Sequence, residues 1–196
     1  MVVRFVAALA GALLLAGCAS TVPVPPEPSG DELDALIARE LDLQWQYVGL
    51  TPDAPRPTVE RIRIVSMDEA EQVHRDCMVA AGYGDFRVVE ASIFGGASTL
   101  ERLAIYTCSA QYPVMPANYG LFSEAELGYL YDYYRDVTAP CLEAAGVAVA
   151  EPPTREEYLA SGSFSLGLWT PHVGAEEAGG ALPHTCPSVP PGFRPF

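Results

Sequence analysis

Apolar residues in the first half of the chain recur with two rhythms. Over Asp31–Val48, Leu33, Leu36, Ile37, Leu41, Trp45 and Val48 return near a 3.6-residue period, which predicts an amphipathic helix. Asp31, Glu32 and Asp34 suit its positive N-terminal end, and Gly49 marks a stop. After the proline-rich Thr51–Pro57, the stretch Val59–Val65 is rich in β-branched residues with a partial period-2 split, and this predicts a strand. Ser66-Met67-Asp68-Glu69 has the spacing of a capping box, in which the serine oxygen accepts from a free N–H and the glutamate reaches back. The helix it opens should run to about Ala81, bury Ala70, Val73, Cys77, Met78 and Ala81, and end on a left-handed Gly82. Phe86–Ala91 and Leu103–Cys108 read as further strands around a Gly-rich loop, Phe94–Thr99, whose Gly95-Gly96 lacks phosphate-loop spacing.

The second half follows the same plan. Ser123-x-x-Glu126 is a second capping-box pattern, and its helix sets Leu127, Leu130, Tyr131, Tyr134, Val137 and Cys141 on one side, with a kink or restart expected at Pro140. Val147–Ala150 reads as a short strand, Thr154-x-x-Glu157 opens a third capped helix, and Ser161–Phe196 is irregular and rich in Gly and Pro. Cys77-Met78-Val79-Ala80-Ala81-Gly82-Tyr83 matches Cys141-Leu142-Glu143-Ala144-Ala145-Gly146-Val147, so a degenerate duplication is expected. The fold class these patterns predict is α+β, one small domain of capped helices and short strands over 31–196. Its parts are an N-terminal helix and loop at 31–58, a first unit at 59–108, and a second unit with its tail at 109–196.

The N-terminus has a different character. Arg4 precedes the uncharged Phe5–Ala16, which is too short for the roughly 20 residues of a membrane-spanning helix and fits a signal peptide over 1–17. Leu15-Ala16-Gly17-Cys18 resembles the lipobox of bacterial lipoproteins. That resemblance implies cleavage before Cys18, diacylglycerol on its sulfur, and attachment to the extracytoplasmic face of the cell membrane. Residues 18–30, with prolines at 23, 25, 26 and 28, read as an extended tether. The net charge of −14 in a chain without lysine excludes a basic nucleic-acid footprint, and it leaves attachment to the lipid bilayer to the acyl chains on Cys18.

The body also resembles uncharacterised envelope lipoproteins of high-GC Gram-positive bacteria. The likeness is carried by Asp76-Cys77-Met78 with Ala81-Gly82-Tyr83, by Tyr129–Tyr134 with Pro140-Cys141-Leu142-Glu143-Ala144-Ala145-Gly146, and by Glu151-Pro152-Pro153-Thr154-Arg155-Glu156-Glu157-Tyr158 followed by Trp169-Thr170-Pro171. It implies location and a probable fold, and no catalytic residues. In an exported domain, Cys77, Cys108, Cys141 and Cys186 make an even set suited to two disulfides. Three pairings are open, and the internal repeat favours Cys77–Cys108 with Cys141–Cys186. The second pair would then fasten the tail.

Motifs for chemistry are sparse. His74 and Cys77 can share a helix face, yet no further spacing completes a metal site, and His172 and His184 sit in proline-rich chain. The acidic pairs at Asp68/Glu69, Glu124/Glu126 and Glu156/Glu157 fall at helix starts, where negative charge is stabilising without catalysis. No nucleophile elbow, zinc-protease motif or cofactor motif is present. Aromatic residues give the one binding signal: Tyr129, Tyr133 and Trp169 are candidates for a contact surface, or equally for packing beneath the tail. The expectation is therefore a lipid-anchored interaction or structural protein that is not an enzyme. Its partner would be an envelope protein or small ligand, and a solute- or glycan-binding lipoprotein with an aromatic pocket is the alternative.

Overall fold

The computed structural model describes residues 23–49, 54–83, 97–161, 169–173 and 185–193. The signal peptide at 1–17, Cys18, the strand expected at Phe86–Ala91, most of the Gly-rich loop and His184 lie outside the described residues. The elements are α1 (Asp31–Tyr47), α2 (Met67–Ala80), α3 (Thr99–Gln111), a 3-10 turn (Pro116–Tyr119), α4 (Glu124–Tyr133), a π-helical turn (Tyr134–Thr138), α5 (Ala139–Ala144) and α6 (Arg155–Ala160). Among the described residues there is no sheet, so the expected α+β class is corrected to a helical one. What remains of β structure is a single parallel bridge between Val65 and Val114.

Each missing strand has a local reason. Leu103–Cys108 lies inside α3, because Ser98 and Glu101 close a complete capping box and Leu100, Glu101, Arg102, Leu103 and Ala104 are strong helix formers. Helical winding brings Ile105, Cys108 and Ser109 to one buried face, which a strand would scatter. The Gly-rich loop therefore ends before Thr99, the first residue of α3. Val59–Val65 is extended, and Ile62 and Val65 donate their N–H groups to the Gln111 and Pro113 carbonyls, both at 2.9 Å. Pro113 has no N–H to return, so the ladder stops at one bridge. Val147–Ala150 is irregular, and the Val147 N–H is already spent on the Leu142 carbonyl at 2.9 Å.

The helices enclose two apolar cores with a smaller cluster between them. Val48, Met78, Ile105, Tyr106, Cys108 and Ala110 join α1, α2 and α3, with Leu41 and Trp45 packed against them. Phe122, Leu127, Leu130, Tyr131, Tyr134, Tyr158 and Phe193 join α4 and the π turn to α6 and the tail. Val65, Ala70 and Val114 form the third cluster. Arg102 of α3 closes the end of α1 by donating to the Val48 and Gly49 carbonyls, each at 2.9 Å, a position where α1 has no basic residue of its own.

The two matched segments end their helices identically. Gly82 and Gly146 adopt φ of 95° and 80°, and the following residues, Tyr83 and Val147, donate back five positions to Met78 and Leu142, each at 2.9 Å. This is the Schellman arrangement, and it places Met78 and Leu142 as fully buried anchors. Disulfides join Cys77 to Cys108 and Cys141 to Cys186, with Cα atoms 5.8 and 5.7 Å apart. The starts of the two helices differ. Ser123 and Glu126 close their capping box, whereas Ser66 makes no side-chain cap, because its hydroxyl engages Asp68; Glu69 reaches back to the Ser66 backbone and also pairs with Arg63.

One expectation about the second half changes. The restart expected at Pro140 is present, since α5 opens at Ala139 with Pro140 in its first turn; a π turn precedes it, with the Ala139 N–H donating to the Tyr134 carbonyl five residues back. The wider turn accommodates a ring that has no N–H and would crowd the preceding turn. It also rotates Val137 outward to 42% exposure, off the stripe that Leu127, Leu130, Tyr131 and Tyr134 share. The tail packs on the second core, and the tether touches the body at single points. Phe193 is buried in the second core, Thr138 Oγ1 donates to the Pro187 carbonyl at 3.1 Å, Pro28 is buried, and Val24 lies against Gly192.

Candidate functional site

The buried stripe of α1 contains a carboxylic acid. Ile37, Glu40, Gln44 and Val48 follow at intervals of three or four residues, and Glu40 is 2% exposed. It lies in the wall of a cleft of about 560 Å³ bounded by α1, α2, α3 and the 3-10 turn. Leu43 and Val48 of α1, Ile105 of α3 and Leu121 after the turn supply apolar walls, while His74, Ser109, Tyr47 and Tyr119 add polar atoms. That volume and mixture fall within the usual range for a small-molecule site. A groove of about 610 Å³ runs along Pro57–Ile62 beside Thr107 and Gln111, but its lining is exposed or half-buried and holds no buried titratable group.

Glu40 is incompletely paired. Gln44 Nε2 donates to its Oε1 at 2.9 Å, and its Oε2 has no hydrogen-bond partner. Burial pushes the carboxyl up to about 8, opposed only in part by the Gln44 amide, so at neutral pH it is mostly the neutral acid. Burial also raises the Tyr119 hydroxyl, with a further contribution from the charge of Glu40. Glu126 provides the contrast: equally buried, it accepts the Ser123 N–H at 2.9 Å as part of a capping box. A buried polar oxygen without a partner costs on the order of 1–3 kcal/mol. In Glu40 that cost is concentrated in a cavity wall, where a ligand that supplies a partner would relieve it. His74 is fixed through its other side, its Nε2–H donating to the Tyr112 carbonyl at 2.7 Å.

The candidates read from the sequence lie elsewhere. Cys77, Cys108, Cys141 and Cys186 are consumed in disulfides. Tyr129, Tyr133 and Trp169 are half-buried around the second core. The Tyr129 ring stacks on Phe193 at 5.7 Å, Tyr133 meets Tyr134 at 6.4 Å, and Trp169 meets Tyr131 and Tyr134 at 6.3 and 6.4 Å. The Trp169 indole N–H donates to the Ala150 carbonyl at 3.2 Å. These three side chains do not line the Glu40 cleft. Glu157 serves the Thr154 capping box, and among the described residues no three His, Cys, Asp or Glu side chains converge as metal ligands. Glu40 itself was within reach of sequence reasoning. A glutamate three residues after Ile37 and eight before Val48 falls inside an apolar stripe, and that position is the signal.

No helix among the described residues is long and apolar enough to cross a membrane. No protein-family model, curated protein or solved structure matches this chain.

Proposed function

We propose that this protein is an exported, lipid-anchored module that binds a small ligand in the cleft around Glu40. Export and anchoring are supported by the short apolar leader and the Leu15-Ala16-Gly17-Cys18 run, and two disulfides suit an oxidising compartment. Acylation of Cys18 would hold the acidic body at the extracytoplasmic face of the cell membrane. The observation that carries the binding reading is the buried Glu40 carboxyl with one unpartnered oxygen in the wall of an apolar cleft. Such a group weakens the free protein and gives a ligand something to complete, which is the arrangement of a recognition site. Binding is the role we assign to the cleft.

The test is ligand-observed and protein-observed NMR of the full chain in detergent against a small-fragment set. Saturable shifts confined to cleft residues are expected, and they should vanish in Ser109→Phe, which fills the cavity from α3. Shifts spread over the surface, or unchanged by Ser109→Phe, would reject the cleft as the site. Anchoring is tested separately by mass spectrometry of the protein from membranes, which should find an N-terminal Cys18 carrying diacylglycerol. An unacylated Cys18 still joined to Gly17 would reject the lipid anchor.

A further inference from the structure

We infer that the ligand of the Glu40 cleft is an organic monocation, an ammonium group on an apolar body, whose charge pairs with Glu40. This inference rests on the cleft being a binding site and names the chemistry it selects. Among the described residues, Glu40 is the one carboxylic acid in the lining, and neither arginine nor lysine accompanies it. The other titratable groups facing the cavity are Tyr47 of α1, His74 of α2 and Tyr119 of the 3-10 turn, while α3 contributes Ile105 and Ser109. His74 has its Nε2–H committed to Tyr112. An anionic ligand would meet a carboxyl with no countercharge beside it, and the field of a chain of net charge −14 would also repel it. A cation is drawn by that same field and, once the carboxyl has given up its proton, is accepted by Oε2, with the aromatic side chains of Tyr47 and Tyr119 in the same lining. One carboxyl calls for one ammonium, and the apolar walls call for a hydrocarbon body.

The step balances in protons. Glu40 enters as the neutral acid; an ammonium ion binds, the carboxyl gives its proton to solvent, and a carboxylate–ammonium pair remains in the cleft. Raised by burial, the carboxyl would be returned toward its ordinary range by the bound cation. Glu40 is 2% exposed, so side chains of the lining must shift for an ammonium group to reach Oε2.

The experiment is isothermal titration of the full chain in detergent with three probes of one shape: phenylbutylamine, phenylbutanol and phenylbutyrate. The amine is expected to bind at least about tenfold more tightly than the alcohol, with the carboxylate weakest. Titration at pH 7 in buffers of different ionisation enthalpy should show close to one proton released per amine, and amine affinity should rise by up to roughly tenfold per pH unit between pH 6 and 8. The alcohol should show neither effect. In Glu40→Gln the amine should fall to within about twofold of the alcohol, with proton release abolished. Amine and alcohol binding alike in the wild type, with no proton released, would overturn the assignment of a cation while leaving the cleft as a binding site. Absence of binding by all three probes would overturn both.

Discussion

Glu40 and Glu126 are both buried carboxylic acids, and the atoms around them give them opposite work. Glu126 finishes a helix start, while Glu40 faces a cavity with one oxygen unanswered. The difference has a thermodynamic sign. In the folded chain the Glu40 carboxyl holds its proton up to about 8, well above its value in the unfolded chain. The stability tied to that proton is therefore complete below about pH 4.5 and is lost as pH rises toward about 8. Glu40→Gln removes this dependence. Urea unfolding at pH 5 and pH 8.5 should show the variant losing less stability over the interval than the wild type, by on the order of 3–4 kcal/mol. Parallel losses in the two proteins would contradict a buried neutral acid. Arg102 offers a second residue-scale test. Its guanidinium answers the last carbonyls of α1, and Arg102→Ala should lower stability by about 1 kcal/mol in chemical unfolding.

Among the elements, the π turn decides which side of the long second-half helix is buried. An uninterrupted α-helix through Pro140 would put Val137 with Tyr134 in the core; the observed turn places it in solvent. Val137→Lys should change stability by less than about 0.5 kcal/mol, whereas Leu142→Ala, at a fully buried helix end, should cost roughly 2–5 kcal/mol. Thermal and urea unfolding of the two variants would show whether that phase is right. The same helix shows how far pattern carries. Ser123 and Thr154 announce their helices through complete capping boxes, while Ser66 has the same spacing but its hydroxyl goes to Asp68 and Glu69 also pairs with Arg63. Ser98-x-x-Glu101 has the same spacing and completes its box, and the strand expected at Leu103–Cys108 gives way to α3. The π turn depends on how Pro140 is accommodated in three dimensions, and Phe193 reaches its core from a segment with no periodicity. Glu40 was readable as a breach in an apolar stripe; the cleft around it was not, because His74, Ile105, Ser109 and Tyr119 come from segments far apart in the chain.

At the scale of the whole molecule, two cross-links divide the labour unequally. Cys77–Cys108 ties α2 to α3, two helices already packed on one core, while Cys141–Cys186 ties α5 to a tail that has little regular structure. In the chain-entropy model, loops of 31 and 45 residues correspond to about 3.7 and 4.0 kcal/mol. Phe193 gives the tail an apolar hold of its own, so reduction should loosen it without freeing it fully. Limited proteolysis after reduction should cut Thr185–Phe193 ahead of α1–α3, and equal resistance of the tail before and after reduction would refute that order. The helical body, its acidic surface and the proposed anchor all lead back to one group, since the binding reading requires a neutral carboxyl inside the cleft. A carbon-13 NMR titration of the Glu40 side-chain carboxyl in the full chain measures it directly. The carboxyl should titrate near 8 in the free protein and move well down when phenylbutylamine is bound; titration in the ordinary glutamate range in the free protein would contradict the account.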